Sequence, residues 1–537
     1  MIRVFKKSSP GLSRKLCTND IGYKVDRLLL KMPVRLGPMP QAIAEGAYNQ
    51  AEGRMYFCQR VEDNAFHLPA NVTSNFDEIR RPRISPSALS FMSSKNASRL
   101  DKRLIFQYQV KSPHTSVFAA LILCLSFVGS MPAQQSPAER VAEIQAALRD
   151  ARLDGWLFYD FRHSDPLAYR ILKLDENMLA SRRWFYYVPA SGEPVKIVQS
   201  IEQFKLDSLP GKKIVFRGWQ ELHARLREVL GAGAKESKRR VVMQYSPMND
   251  IPYISRVDAG TIELVRSFGV EPVTSAELVQ RFEAVFSPAQ YQMHVEASDK
   301  MHRIIQEAFA EIARRIRADE PTTEWDIAQF MLRRYSEEGM QQEPMIVAVN
   351  ANSANPHYMP TKEKNSPVRR GDFVLIDAAT KLTKPEAVAT DQTWTGYVGE
   401  SVPEEYSRIF NIVRDARDSA VDFVRKNIRA GKSIRGAEVD DVSRGVITRA
   451  GFGEQFTHRT GHSIGEETHG NGVNIDDFET RDSRRIIPGV CFSIEPGIYL
   501  EGKFGVRSEI NVYVSDKDIE VTGQPIQTEI IAILKTP

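Results

Sequence analysis

Acidic side chains set inside apolar, strand-like runs constrain this chain more than any other feature. Asp377 closes the run Phe373-Val374-Leu375-Ile376, and Glu495 follows Phe492-Ser493-Ile494. Asp391 stands before Trp394 and Tyr397, and Glu509 follows Gly505-Val506-Arg507-Ser508. A carboxylate buried in such a segment costs several kcal/mol unless a cation or a hydrogen-bond network compensates it. Singly, each has a plainer explanation: Asp377 can cap a turn, and Glu509 can pair with Arg507. Gathered around His462, the four carboxylates make a donor set for hard divalent metals, with enough oxygens for two ions. That chemistry points to metal-assisted hydrolysis.

Histidine placement supports the grouping. The chain has 10 histidines, and His357, His458, His462 and His469 fall among these acidic segments. The stretch His458-Arg459-Thr460-Gly461-His462-Ser463-Ile464-Gly465 is punctuated by glycine, so its two histidines do not share a helix face. It is not the helical HExxH of a zincin. Asp377 to Asp391 and Glu495 to Glu509 are both separations of 14, which would suit two facing hairpins with an acid on each arm.

The net charge of +4 is unevenly spread. Residues 1–109 hold 18 Lys/Arg against 9 Asp/Glu, a balance of +9, while residues 134–537 hold 53 against 59, a balance of −6. The body presents no basic face for nucleic acid. Residues 117–128, VFAALILCLSFV, follow Lys111 and precede small residues up to Ala133, the layout of an export signal cut near Ala133–Gln134. The run is too short to serve as a stable membrane anchor, which needs about 20 residues. Residues 110–133 are thus expected to be a signal peptide that sends the protein to the periplasm or outside the cell. Residues 1–109 are expected to be an extension ahead of a true start near Val110, or a disordered one. Of Cys17, Cys58, Cys124 and Cys491, only Cys491 lies in the expected mature part, as core filler in a buried strand, so no internal disulfide is available there.

Two domains follow from the remaining pattern. Ser136-Pro137-Ala138-Glu139 is a capping box opening a helix to about Arg152. Strands at 155–159, 184–189, 213–218 and 241–246, with a helix over 219–231, predict an α/β domain over 134–285. Beyond it the pattern predicts helices over 288–317, 323–338, 403–430 and 436–450. Strands are expected near 344–350, 372–378, 388–397, 490–496, 504–514 and 527–534, a mostly antiparallel sheet in an α+β domain over 286–537.

The motifs LID at Asp377, TDQTW at Asp391, GHSIG at His462, IEPG at Glu495 and GVRSE at Glu509 resemble those of the "pita-bread" metallopeptidases. These are the Xaa-Pro aminopeptidases, prolidases, methionine aminopeptidases and creatinases. Residues 134–285 resemble the creatinase-type N-terminal domain that precedes the catalytic domain in the creatinase/prolidase branch. The resemblance implies a peptidase that removes N-terminal residues or splits dipeptides at Xaa-Pro bonds, with a short peptide as its partner. It implies two divalent ions, Mn2+ first and Co2+, Fe2+ or Zn2+ as alternatives. Asp391 and Glu509 would bridge them, Asp377 would complete one site, and His462 and Glu495 the other, with a hydroxide between the ions. Glu495 would shuttle the proton, and His357 and His469 would steady the oxyanion or the peptide. His458 and Arg507 would support the ligands or the substrate. Relatives in this branch are often homodimers.

Three departures stand out. The Asp377–Asp391 gap is 14 where the common pattern has 11, Gly470 replaces an acidic residue, and Glu466-Glu467-Thr468 replace apolar ones. The rival within enzymes is a creatinase-like hydrolase or lyase acting on a small non-peptide molecule. The rival outside them is a peptide- or histone-binding module, which would have lost the ligands retained here.

Overall fold

A computed structural model describes residues 135–231 and 238–535, together with the backbone of two earlier strands, β1 (Ala44–Asn49) and β2 (Arg54–Gln59). Those two strands pair antiparallel and belong to a separate unit from residues 123–537. The rest of the expected extension and the signal-like segment at 110–133 lie outside the described residues.

The first body of structure is a six-stranded mixed sheet. Its strands are β3 (Gly155–Asp160), β4 (Trp184–Pro189), β5 (Val195–Gln199), β6 (Lys212–Phe216), β7 (Arg240–Met243) and β8 (Glu271–Thr274), in the order β6-β5-β4-β3-β7-β8. Successive side chains on a strand point to opposite faces, and here both faces are apolar. Trp156, Phe158, Trp184 and Tyr186 face helices α1 (Pro137–Asp150), α2 (Pro166–Leu172) and α5 (Ala276–Glu283). Leu157, Tyr159, Phe185 and Tyr187 face α3 (Trp219–Gly231) and α4 (Ala259–Arg266). Ser136 and Glu139 form the reciprocal cap that the sequence predicts for α1.

The second body begins at α6 (Pro288–Arg317), opened by a capping box of Ser287 and Gln290. The apolar stripe of α6, at helical spacing from Ala297 through Ile312, packs with α7 (Glu324–Glu337) onto one side of a four-stranded sheet. That sheet runs β18-β11-β10-β9, from β9 (Ile346–Val349), β10 (Phe373–Thr380), β11 (Thr390–Tyr397) and β18 (Ile531–Ala532). Its other side meets α8 (Glu404–Arg429) through Phe373 and Leu375. A second four-stranded sheet, β12-β13-β16-β17, joins β12 (Ser463–Ile464), β13 (Cys491–Ile494), β16 (Ile510–Val514) and β17 (Ile519–Thr522). Val421 and Val424 of α8 and Val439 of α9 (Gly436–Arg449) cover it.

Two expectations need correction. Where the sequence predicts one mostly antiparallel sheet, the structure has two sheets and a ribbon, β14 (Gly497–Leu500) with β15 (Phe504–Arg507). The runs 490–496 and 504–514 each break, at Glu495-Pro496 and at Ser508-Glu509; Pro496 has no N–H to offer a ladder. The expected strand at 527–534 contracts to β18, parallel to β11. Cys491 is buried as core filler, and burial pushes its thiol up, away from nucleophilic chemistry.

Candidate active site

Two hairpins deliver the carboxylates. In the β10–β11 hairpin Asp377 lies opposite Thr393 and Ala379 opposite Asp391. The strand period of two therefore puts Asp377, Thr393 and Asp391 on one face, with the two acids diagonal to each other. The second hairpin is β13–β16 extended by the ribbon: Ile494 pairs with Ile510, and Gly497 with Arg507. Glu495 and Glu509 occupy the break between these pairings, where the chain turns out of one sheet into the other.

His462 arrives just ahead of β12. Its carbonyl accepts from Ser493 N–H at 2.8 Å, and its own N–H donates to Ser493 Oγ at 3.0 Å. A Cβ on Gly461 would lie 2.0 Å from the Ser493 carbonyl oxygen, so only glycine lets the histidine's segment come this close to β13.

The side chains converge. One donor atom from each of Asp391, His462 and Glu509 falls within 4.8 Å of the others, and all three residues are buried. His462 Nε2 lies 3.5 Å from Asp391 Oδ2 and 3.4 Å from Glu495 Oε1. Thr393 Oγ1 lies within hydrogen-bond distance of Asp377 Oδ1 (3.0 Å) and of Glu509 Oε2 (2.8 Å), joining Asp377 to the group. The five residues singled out in the sequence thus form one cluster.

Its electrostatics call for cations. Burial, then the charges of Asp377 and Glu495, push the Asp391 carboxyl well above its ordinary range. Burial and Asp391 do the same to Glu509. Glu509 Oε1 is buried with no hydrogen-bond partner. A buried carboxylate oxygen left without a donor is costly. Burial lowers the pKa of His462, keeping its imidazole neutral, as ligation requires. The His462 Nδ1 edge faces the Ser463 carbonyl at 3.1 Å, which leaves Nε2 toward the carboxylates. Four acids, an orphaned oxygen and a neutral imidazole nitrogen fit divalent metal ions.

One buried cation holds the cluster from beneath. The Arg507 guanidinium pairs with Asp377 and donates to Thr393 Oγ1 at 3.1 Å and to Tyr499 Oη at 2.9 Å. Burial would lower its pKa, but Asp377, Tyr499, Glu495 and Glu509 hold it well above the ordinary value. His458 Nε2 contacts the same Tyr499 hydroxyl at 2.7 Å. Burial, then Arg507, push His458 down to about 3, so it is a neutral partner of Tyr499. His469 sits edge-on to His462 with ring centroids 4.3 Å apart and one edge in solvent. His357 is exposed on the turn after Asn355, whose Oδ1 accepts the His357 N–H at 3.1 Å.

Sequence reasoning missed three supports. Thr393 and Tyr499 are described above. Asn511 stitches the two sheets: its Oδ1 accepts from Asp391 N–H at 2.9 Å, and its Nδ2 donates to the Asp391 carbonyl at 2.7 Å. Only Thr393 carried a signal, lying two residues after Asp391 and so on the same strand face.

Residues 296–516 match the model of Peptidase_M24, metallopeptidase family M24. This segment is an M24 metallopeptidase domain. The M24 domain holds every one of the five clustered residues. Its chain is 36% identical over 171 residues to an Xaa-Pro dipeptidase of Lactobacillus delbrueckii subsp. lactis, covering 30% of this chain and 40% of that protein. It is 36% identical over 172 residues to the Xaa-Pro dipeptidase of Lactobacillus helveticus, again covering 40% of that protein. The matched stretch therefore spans well under half of these relatives. The fold resembles that of dipeptidase PepE from Mycobacterium ulcerans, with a TM-score of 0.53 and 23% identity, over 74% of this chain and 98% of that one.

Proposed function

We propose that the M24 domain is a dinuclear metal-dependent peptidase that cleaves short peptides from the N-terminal end, at Xaa-Pro bonds. The observation that carries this reading is the cluster itself, four carboxylates around a neutral His462 with Glu509 Oε1 left without a partner. Asp391 and Glu509 would be shared by two ions, Asp377 would serve one, and His462 with Glu495 the other. Bound divalent ions, Mn2+ first among them given the oxygen-rich donors, supply Lewis-acid activation of water and of the scissile carbonyl.

The chain's own residues do the rest. Glu495 accepts the proton of the attacking water and returns it to the leaving amine; Ser493 Oγ, 3.1 Å from Glu495 Oε1, fixes its orientation. His469 and His357 present imidazoles toward the substrate side, where an N–H can meet the developing oxyanion. Arg507 and Thr393 hold Asp377 and Glu509 in place without contacting substrate.

A manganese-supplemented assay with an Xaa-Pro dipeptide, an Xaa-Pro-Xaa tripeptide and creatine tests the reading. Cleavage of either peptide at the Xaa-Pro bond supports it. Turnover of creatine with neither peptide cleaved would move the protein to the small-molecule branch.

Two further readings rest on other parts of the chain. Residues 134–285 are read as a creatinase-type N-terminal domain, supported by a mixed sheet with helices on both faces. The apolar run at 117–128 supports export. N-terminal sequencing of the protein recovered outside the cytoplasm is expected to begin at about Gln134. A recovered chain that still carries Met1 would remove the export reading.

A further inference from the structure

The departure Glu466-Glu467-Thr468 lies in the loop that carries His469, and the structure gives these residues partners. The loop's base is stapled to β12: Gly470 N–H donates to the Ser463 carbonyl at 2.7 Å and Gly472 N–H to Ser463 Oγ at 2.9 Å. Its tip, between Gly465 and Gly470, is secured from outside. Lys381 reaches the Glu466 carbonyl, and Arg170 of α2 in the N-terminal domain pairs with Glu467 at 2.7 Å.

The Arg170 guanidinium is not a free surface cation. Its Nε lies 2.8 Å from Glu283 Oε2, and the Glu283 side chain, at the end of α5, is only 9% exposed. Burial pushes the Glu283 carboxyl up to about 7, against the opposing pull of Arg170. An exposed ion pair alone fixes little, because ordering two long side chains cancels the attraction. Here the guanidinium already lies against the buried Glu283 carboxylate as an ion pair, although its Nε makes no hydrogen bond there, so engaging Glu467 chiefly orders one more side chain. Neighbouring contacts brace the same strip: Gln280 Oε1 accepts from Val473 N–H at 3.1 Å, and a Cβ on Gly472 would lie 2.6 Å from Ala284 Cβ.

We infer that Arg170 is a positioning residue for the active site, a clamp by which the N-terminal domain holds Glu467 and thereby sets the His469 ring against His462. This rests on the peptidase reading for its kinetic consequence, and on geometry alone for its mechanical one.

The test uses the full chain with manganese and compares Glu467→Gln, Arg170→Lys, Arg170→Ala and the Arg170→Ala/Glu467→Gln double variant. Hydrogen–deuterium exchange over residues 463–475 is expected to rise in Glu467→Gln and Arg170→Ala, to rise to an intermediate degree in Arg170→Lys, which keeps the charge but not the fork, and to be no faster in the double variant than in Arg170→Ala. On an Xaa-Pro dipeptide, kcat is expected to fall about tenfold with KM little changed, again without additivity, as for a ring displaced from its working position. Wild-type exchange in Glu467→Gln, a variant of an exposed side chain that leaves the fold intact, overturns the clamp. So does additive loss in the double variant. A wild-type enzyme that cleaves no peptide refutes the peptidase reading, while the exchange comparison still decides the clamp.

Discussion

Glu495→Gln is expected to lower kcat about a thousandfold or more while leaving the circular dichroism spectrum and melting temperature near those of the wild type. The magnitude is that of removing a positioned proton shuttle. Glutamine keeps the shape and the contact with Ser493 Oγ, yet it cannot accept a proton. Three groups show why this carboxylate suits the role. His462 Nε2 lies 3.4 Å away, Arg507 Nε 3.9 Å away, and Ser493 Oγ holds the same oxygen that faces His462. Its surroundings are therefore polar and partly cationic. Steady-state kinetics with metal content measured on the same sample decide the matter. A Glu495→Gln enzyme that retains its metal and turns over at the wild-type rate ends the assignment of this residue.

Removing divalent cations is expected to abolish turnover and to give the protein a characteristic pH dependence of stability. Without cations, burial and mutual repulsion hold the Asp391 and Glu509 carboxyls well above their ordinary values of 3.8 and 4.5. The folded state then keeps protons that the unfolded chain releases. Stability from these groups is greatest below the ordinary carboxylate range and is lost as pH climbs toward their raised folded values. The chelated protein should accordingly melt at progressively lower temperature as pH rises from about 4 to 8. Cations bind the deprotonated ligands, so the gap between metal-loaded and chelated protein widens over the same range. With free ion at about a thousand times its Kd, the stabilisation is about 4 kcal/mol. Calorimetry of both forms across that range is the measurement. Full activity after chelation, or superimposable melting curves, would contradict the cation-held cluster.

Much of the site was legible because its chemistry conflicts with its surroundings. Asp377 and Glu495 end apolar runs where a charge has no business unless something compensates it. The matching 14-residue separations anticipated that each acid pair would share a hairpin, and the β10–β11 register bears this out. One helix was legible from its cap, since Ser136 stands at the N-cap its sequence announces, whereas the caps at Ser287 and Thr323 emerge only in the structure. Tertiary geometry was not legible. Nothing local distinguishes Asn511 from any other strand asparagine, yet it bonds both backbone groups of Asp391 across the sheet boundary. Tyr499 reads as an ordinary buried aromatic until Arg507 and His458 are seen to meet at its hydroxyl. The split into two sheets was missed because alternation marks which residues are buried, not which strands pair.

The two-hairpin origin of the donors also orders events in time. During synthesis Asp377 and Asp391 emerge well before Glu495 and Glu509, so the first acid pair must wait without its counterparts. Neither hairpin alone offers the full donor set, and a half-made pocket grips a cation weakly. Metal capture would therefore come last in maturation. For a polypeptide threaded through a translocon before it folds, that act would take place on the far side, drawing on whatever ions that compartment provides.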